Sequence, residues 1–325
     1  MMELVDTFGR VHRDLRIAVT DRCNFRCQYC MTEEMVWMPR NDLLTFEEIE
    51  RIAKLTVERY EVDSIRLTGG EPTVRSKLSR LIEKLAALDV DLAMTTNGVS
   101  LPLIAQDLRD AGLRRINISL DSLHRDRFTE LTRRDDLDRV LEGIDAAIAA
   151  GFDPVKINVV LMNGINDDEI VDFARFGRDK GVVVRFIEFM PLDADEQWGP
   201  DRVVPLQKVI ADINEVFPIE PIARTSAPAT RYRYADGKGE VGVIATVTEK
   251  FCDTCDRIRL TADGQFRNCL FAVQDYNLRD AIRGGATDDE LAAIIEGAVT
   301  DKWAGHGIDT VHFIRPKRNM SQIGG

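Results

Sequence analysis

Short apolar runs alternate with longer stretches of helical periodicity through the first 190 residues. The short runs fall at residues 15–20, 64–68, 91–95, 115–120, 155–161 and 182–189. Several are apolar on both faces, as strands of a buried parallel sheet are. Between them the spacing predicts helices. Thr45-Phe46-Glu47-Glu48 reads as a capping box, opening a helix with Ile49, Ile52, Ala53 and Thr56 on one face. Residues 76–88 place Leu78, Leu81, Ile82 and Leu85 at helical spacing, and residues 102–111 form a helix stopped by Gly112. One helical stretch is predicted after Asp121, running to Ala150 and ended by Gly151. Asn166-Asp167-Asp168-Glu169 is predicted to cap a helix that continues to Lys180.

Six such units in order predict an α/β fold: a parallel sheet curled into a partial (βα)6 TIM-type barrel, open at one side. After Met190 the rhythm changes. A helix is predicted at 205–216, a polar surface loop at 224–231, and β structure at 232–247. Residues 257–260 and 265–270 read as a hairpin around Asp263-Gly264, followed by helices at 278–282 and 288–299. The expected division is a barrel with an extended N-terminal leader over residues 1–220 and a smaller C-terminal domain over 221–325. The last residues, Met320 to Gly325, read as a frayed end.

The unusual residues gather where the strands end, the side on which barrel enzymes carry their chemistry. The first run leads into Cys23-Asn24-Phe25-Arg26-Cys27-Gln28-Tyr29-Cys30, a C-x3-C-x2-C pattern. The other three of the six cysteines, Cys252, Cys255 and Cys269, form a second triplet. A structural zinc closes with four ligands. Three thiolates on a four-iron cluster leave one iron open to a chelating ligand. Two incomplete triplets therefore favour two open clusters over one closed site, with a zinc ribbon the alternative for the second. Gly69-Gly70-Glu71-Pro72 follows the second run, and glycine there permits close backbone approach. Thr96-Asn97-Gly98, Ser119-Leu120-Asp121 and Met190-Pro191 follow later ones.

Charge narrows the partners. A net charge of −12 argues against a general nucleic-acid binder. Arg16, Arg66, Lys156 and Arg185 nevertheless lie in or beside the apolar runs, and Arg257 and Arg259 share one face of the hairpin. An inward base requires an anionic partner, and guanidinium is well suited to phosphate. No Walker A pattern occurs, so a phosphate site here is not a P-loop. The N-terminus lacks the basic and apolar segments of a signal peptide, and no apolar run is long enough to span a bilayer, so a cytoplasmic setting and no membrane are expected. Free thiols agree with a reducing compartment.

The cysteine spacing with Tyr29 before the last thiol resembles the radical S-adenosylmethionine (SAM) enzymes. The second triplet, Gly-Gly-Glu-Pro, the 185–190 segment, Arg257-Ile258-Arg259 and the Gly-Gly end narrow the resemblance to the GTP 3',8-cyclase family of molybdenum cofactor biosynthesis. That resemblance implies two 4Fe–4S clusters, on Cys23, Cys27 and Cys30 and on Cys252, Cys255 and Cys269. It implies SAM contacts at Tyr29, Gly70, Ser119 and Met190. It implies GTP contacts at Arg16, Arg66, Thr95, Lys156, Arg257 and Arg259, with Arg185, Arg257 and Arg259 in catalytic roles. The Gly-Gly tail is implied to enter the active site. The implied reaction is a lyase-type cyclisation, in which a deoxyadenosyl radical takes hydrogen from C3' of GTP and the carbon radical attacks C8. An external electron donor and hand-off of product to a cyclic pyranopterin monophosphate synthase follow from the same resemblance. The sequence leaves a homodimer open.

Overall fold

In the computed structural model, which describes residues 2–193, 197–308, 310–311 and 313–324, the six anticipated strands are present: β1 (Asp14–Ala18), β2 (Ser64–Thr68), β3 (Asp91–Thr96), β4 (Arg115–Ser119), β5 (Val155–Leu161) and β6 (Val183–Glu188). They pair in parallel in chain order. The C-terminal part adds β7 (Ile219–Pro221), β8 (Thr230–Tyr234), β9 (Glu240–Ile244), β10 (Arg257–Leu260), β11 (Gln265–Arg267) and β12 (Tyr276–Asn277) to the same twelve-stranded sheet.

The parallel sheet does not stop at six. β9 lies parallel to β6 at one edge and β10 parallel to β1 at the other. The two extra strands escape the β–α rhythm because neither is followed directly by a long helix. β9 runs into a cysteine loop, and β10 turns back as the predicted hairpin with β11. Residues of β10 and of β6 line one cavity, so the sheet curls, while β9 and β10 do not pair. The result is an incomplete barrel.

Helices α1 (Phe46–Tyr60), α2 (Leu78–Ala86), α3 (Leu101–Asp110), α4 (Arg125–Thr132), α5 (Leu137–Ala149), α6 (Ile170–Lys180) and α7 (Leu206–Val216) follow the strands; α8 (Leu278–Arg283), α9 (Asp288–Thr300) and the short α10 (Met320–Ile323) complete the chain. The Thr45–Glu48 capping box opens α1 as expected. Leu15 and Ile17 of β1 and Ile65 and Leu67 of β2 are fully buried in the same core as Ile49, Ile52, Leu81 and Leu85. Their alternate positions are thereby left for the inside of the barrel.

Four expectations need correction. The single helix before Ala150 is two, because Arg133 adopts left-handed backbone (φ 56°) between α4 and α5. Asn166 does not cap α6; its amide donates to the Asp121 and Val160 carbonyls and its oxygen accepts from Met162, tying the ends of β4 and β5 together. The leader is not extended: Val5 and Val11 form an antiparallel bridge around a turn closed by Gly9. The tail is not frayed either. Asn319 and Gln322 make a capping box for α10, and Ile323 and Gly324 are buried; Gly325 lies outside the described residues. Among the described residues no helix is long and apolar enough to cross a membrane.

Candidate active site

A cavity of about 280 Å³ opens at the C-terminal ends of the parallel strands. The loop after β1 brings Cys23, Cys27 and Cys30 to its wall. The Gly69-Gly70 turn holds the start of that loop: the Gly70 amide donates to the Thr20 carbonyl (2.8 Å) and the Glu71 amide to the Arg22 carbonyl (2.8 Å). A Cβ on Gly69 would meet the Thr20 oxygen at 2.2 Å, and one on Gly70 the Arg22 oxygen at 2.4 Å. The close approach is thus to the cysteine loop's own backbone. Glu71 then fixes the turn. Its buried carboxylate accepts from the Thr73 hydroxyl and amide, the Thr96 hydroxyl and the Asn97 amide.

The basic residues form a row. β10, β1 and β2 put Arg259, Arg16 and Arg66 side by side in register. Like charges directly opposite across strands are destabilising. The nearest acid, Asp14, lies 3.8 Å from the Arg16 Nε and cannot balance three guanidiniums. Among the described residues, Nε of Arg16 and of Arg66 has no hydrogen-bond partner. Across the cavity Arg185 on β6 donates twice to the Asn158 side chain (2.6 and 3.0 Å). Gly242 on β9 lies beside it, where a Cβ would come within 3.4 Å of the Arg185 Cγ. Burial lowers the proton affinity of all these groups, and their mutual repulsion lowers it further: Arg66 to about 10, Arg185 and Arg259 to about 9. A row of buried cations short of anions is built for an anionic ligand.

The second triplet reaches the same cavity. Cys252 and Cys255 flank a single 3-10 turn before β10, and Cys269 follows β11. All six thiols line one space. Their surroundings differ. Burial pushes Cys23, Cys27 and Cys30 up, Cys23 to about 12. Burial also acts on Cys255, but the adjacent Arg257 and Lys302 outweigh it and bring the thiol down to about 7. Arg257 Nε points at the Cys255 sulfur (3.4 Å), and Arg259 donates to the Gly324 carbonyl (2.5 Å). Met320 lines the same cavity as Cys30, so the tail lies between the first triplet and the row of arginines.

Of the residues singled out from sequence, Tyr29, Gly70, Thr95, Ser119, Met190, Arg16, Arg66, Arg185, Arg257 and Arg259 line the cavity. Lys156 does not. It sits two residues before Asn158 on the same face of β5, below the floor, with burial and then Arg185 bringing its ammonium down to about 8. Sequence reasoning passed over Asn158 and named Asp121 only as part of the turn after the fourth strand, without a role. Asn158 could have been found from its i+2 spacing to Lys156. Asp121 accepts from the Tyr29 hydroxyl (2.7 Å) and the Val160 amide (2.8 Å), and burial raises its carboxyl to about 6. Of the two histidines that a zinc reading of the second triplet would call on, His306 is buried, lines the cavity and bonds the Thr246 carbonyl; His312 lies outside the described residues.

The donor sets fit four-iron clusters. Each triplet offers three thiols and no disulfide. Among the described residues no group of three or more His, Cys, Asp and Glu is gathered closely enough for one metal ion. A cluster, in contrast, spreads its thiolates over separate irons.

Residues 17–177 match the radical SAM superfamily and residues 182–308 the molybdenum cofactor synthesis C family. The GTP 3',8-cyclase of Rhodopirellula baltica is 49% identical, over 99% of this chain and 92% of its own. The chain belongs to the GTP 3',8-cyclase family. The family's Corynebacterium glutamicum member is 46% identical over 99% of this chain and 89% of its own, and that of Streptomyces coelicolor 46% over 99% and 96%. Among solved structures, Streptococcus suis SuiB bound to S-adenosylmethionine has a TM-score of 0.61 at 13% identity, covering 88% of this chain and 68% of that one, a likeness of fold. For a GTP 3',8-cyclase family member, the shared cavity now has a chemical context: thiols for clusters at its walls and cations along its floor.

Proposed function

We propose that this cavity binds GTP and SAM between two 4Fe–4S clusters and joins C3' of the ribose to C8 of guanine. The product is (8S)-3',8-cyclo-7,8-dihydroguanosine 5'-triphosphate, on the route to the molybdenum cofactor. The observation that carries this reading is that six thiols and five guanidiniums line one space.

Cys23, Cys27 and Cys30 would hold the first cluster, and Cys252, Cys255 and Cys269 the second. When bound and reduced, the first cluster with SAM supplies a 5'-deoxyadenosyl radical. The chain does the rest by position and charge. Gly70, Ser119, Met190 and the Tyr29 backbone are assigned to SAM, with the Tyr29 ring fixed by its bond to Asp121. Arg16, Arg66 and Arg259 face the triphosphate, which neutralises their mutual repulsion; Thr95 completes the direct GTP contacts, and Lys156, outside the cavity lining, adds positive charge from two positions before Asn158 on β5. Arg257 and Arg185 hold the nucleoside, and Arg257 with Arg259 orients the base. The enclosing strand-end loops and the tail shield the reacting carbon from water. An external donor supplies two electrons per turnover, one for SAM cleavage and one that, with a proton, quenches the nucleotide radical left once the C3'–C8 bond has formed, and the next synthase on the pathway takes the product.

The test uses Arg257→Ala and Arg259→Ala in anaerobically reduced protein carrying both clusters. Cyclic product should fall roughly 100-fold or more, while SAM cleavage to 5'-deoxyadenosine persists. Loss of SAM cleavage itself, with iron content unchanged, would overturn these assignments.

A further inference from the structure

We propose that Lys302 is a positioning residue for the second cluster: its buried ammonium, seated by the N-terminal hairpin, sets a fixed positive charge beside the Cys255 sulfur and raises that cluster's reduction potential. The proposal rests on the reading that Cys252, Cys255 and Cys269 hold a cluster.

Lys302 follows α9 and is only 4% exposed. Its Nζ donates to the Arg257 carbonyl (2.9 Å) and lies 3.7 Å from the Cys255 Sγ and 3.4 Å from the His12 Nδ1. Among the described residues it has no carboxylate at ion-pair distance. A buried cation without a carboxylate is costly unless another negative centre faces it, and the sulfur is the candidate.

The hairpin holds it there. His12 is fully buried, and its Nε2 meets the Asp6 carboxylate at 3.1 Å. That contact places the ring proton on Nε2 and leaves Nδ1 to accept from the ammonium. Asp6 is also held by Arg10 Nε at 2.6 Å. Arg10 in turn donates to the carbonyls of Cys252, Trp303 and Ala304. Residues 6–12, remote in sequence from the second triplet, thus brace its cysteine loop against the segment carrying Lys302.

Cluster potentials follow net charge and hydrogen bonds to sulfur. Reduction adds a negative charge, and a neighbouring cation stabilises it. Removal of that cation therefore shifts the equilibrium toward the oxidised cluster.

The experiment uses full-length protein with Cys23, Cys27 and Cys30 replaced by alanine, so that only the second cluster is seen. Redox titration monitored by electron paramagnetic resonance then compares Lys302→Met, Lys302→Arg and His12→Gln. For Lys302→Met we expect a tenfold or larger shift of the reduction equilibrium toward the oxidised form, equivalent to at least 59 mV more negative for one electron. Lys302→Arg should stay within threefold of the parent, and His12→Gln should move in the same sense as Lys302→Met by less. If Lys302→Met does not retain iron, the His12→Gln shift decides. Midpoints within threefold of the parent for the iron-loaded methionine and glutamine variants overturn the proposal. A parent that binds no iron at all removes the cluster reading itself, and the role of Lys302 with it.

Discussion

Arg185 offers a test in which stability and binding should move in opposite directions. Its guanidinium is 8% exposed, and after burial the neighbouring cations Arg66, Arg16 and Arg115 bring it down to about 9. Its two hydrogen bonds go to a neutral group, Asn158. Replacing a poorly compensated buried charge by an apolar side chain of similar length commonly stabilises by about 1–4 kcal/mol. Against this stands the loss of the two bonds to Asn158, worth about 1 kcal/mol each at most where the cavity can admit water. Arg185→Met should therefore leave the ligand-free chain between about 1 kcal/mol less and about 2 kcal/mol more stable than the parent. The same change removes a charge-assisted contact to GTP of about 1.5–3 kcal/mol, so affinity should fall roughly 10- to 150-fold. Urea unfolding of the ligand-free chain gives the first quantity and calorimetric titration with GTP the second. A variant destabilised by more than about 2 kcal/mol with unchanged GTP affinity would refute the reasoning, because Arg185 would then be a structural residue.

Other outcomes follow from particular contacts. Glu71→Ala leaves the Thr73, Thr96 and Asn97 donors without their acceptor and should cost about 3 kcal/mol in urea unfolding, with Glu71→Gln costing less. Asp121, raised from its ordinary 3.8 to about 6 by burial, stays protonated in the fold where the unfolded chain has lost its proton. Its contribution to stability is therefore greatest below about pH 4, declines as pH rises to about 6 and is constant above, a change of roughly 3 kcal/mol. Asp121→Asn should remove that segment from the stability–pH curve; an unaltered slope between pH 4 and 6 would contradict the assignment. Gly324→Ala, at a φ of +84° with a Cβ 2.8 Å from the Thr68 methyl, should displace the tail from Arg259. Faster proteolysis at the C-terminus and a cyclisation rate lower by roughly 100-fold would show it.

The parallel half of the sheet was legible because each strand is followed by a helix whose apolar face repeats with its own period. β1 to β6 therefore stood out, down to the bounds of β2 and β5. β9 and β10 were read as β structure, but their parallel pairing with β6 and β1 was hidden because they join the sheet edges from far along the chain, and no local period announces a parallel partner without a crossover helix. The six cysteines that the cavity gathers were legible because cysteine is scarce here and its spacing stands out. The arginines could be noticed one by one, but the row formed by Arg259, Arg16 and Arg66 exists only once the strand register is known. The tail misled for a similar reason: Met320 to Gly324 is ordered by Asn319, Arg259 and the walls of the first cysteine loop, none of which a composition of small residues reveals. Lys302 and the 6–12 hairpin were silent in the sequence, since their meeting depends on packing of opposite chain ends.

The central claim is that one cavity holds GTP's C3' where the SAM-derived radical is released. It is tested most directly by turning over the reduced, doubly reconstituted protein with SAM and GTP carrying deuterium at C3'. The account predicts one deuterium in the 5'-deoxyadenosine formed and a product with a C3'–C8 bond. Deoxyadenosine formed at the same rate without deuterium, or a nucleotide product that still carries the deuterium, would contradict it.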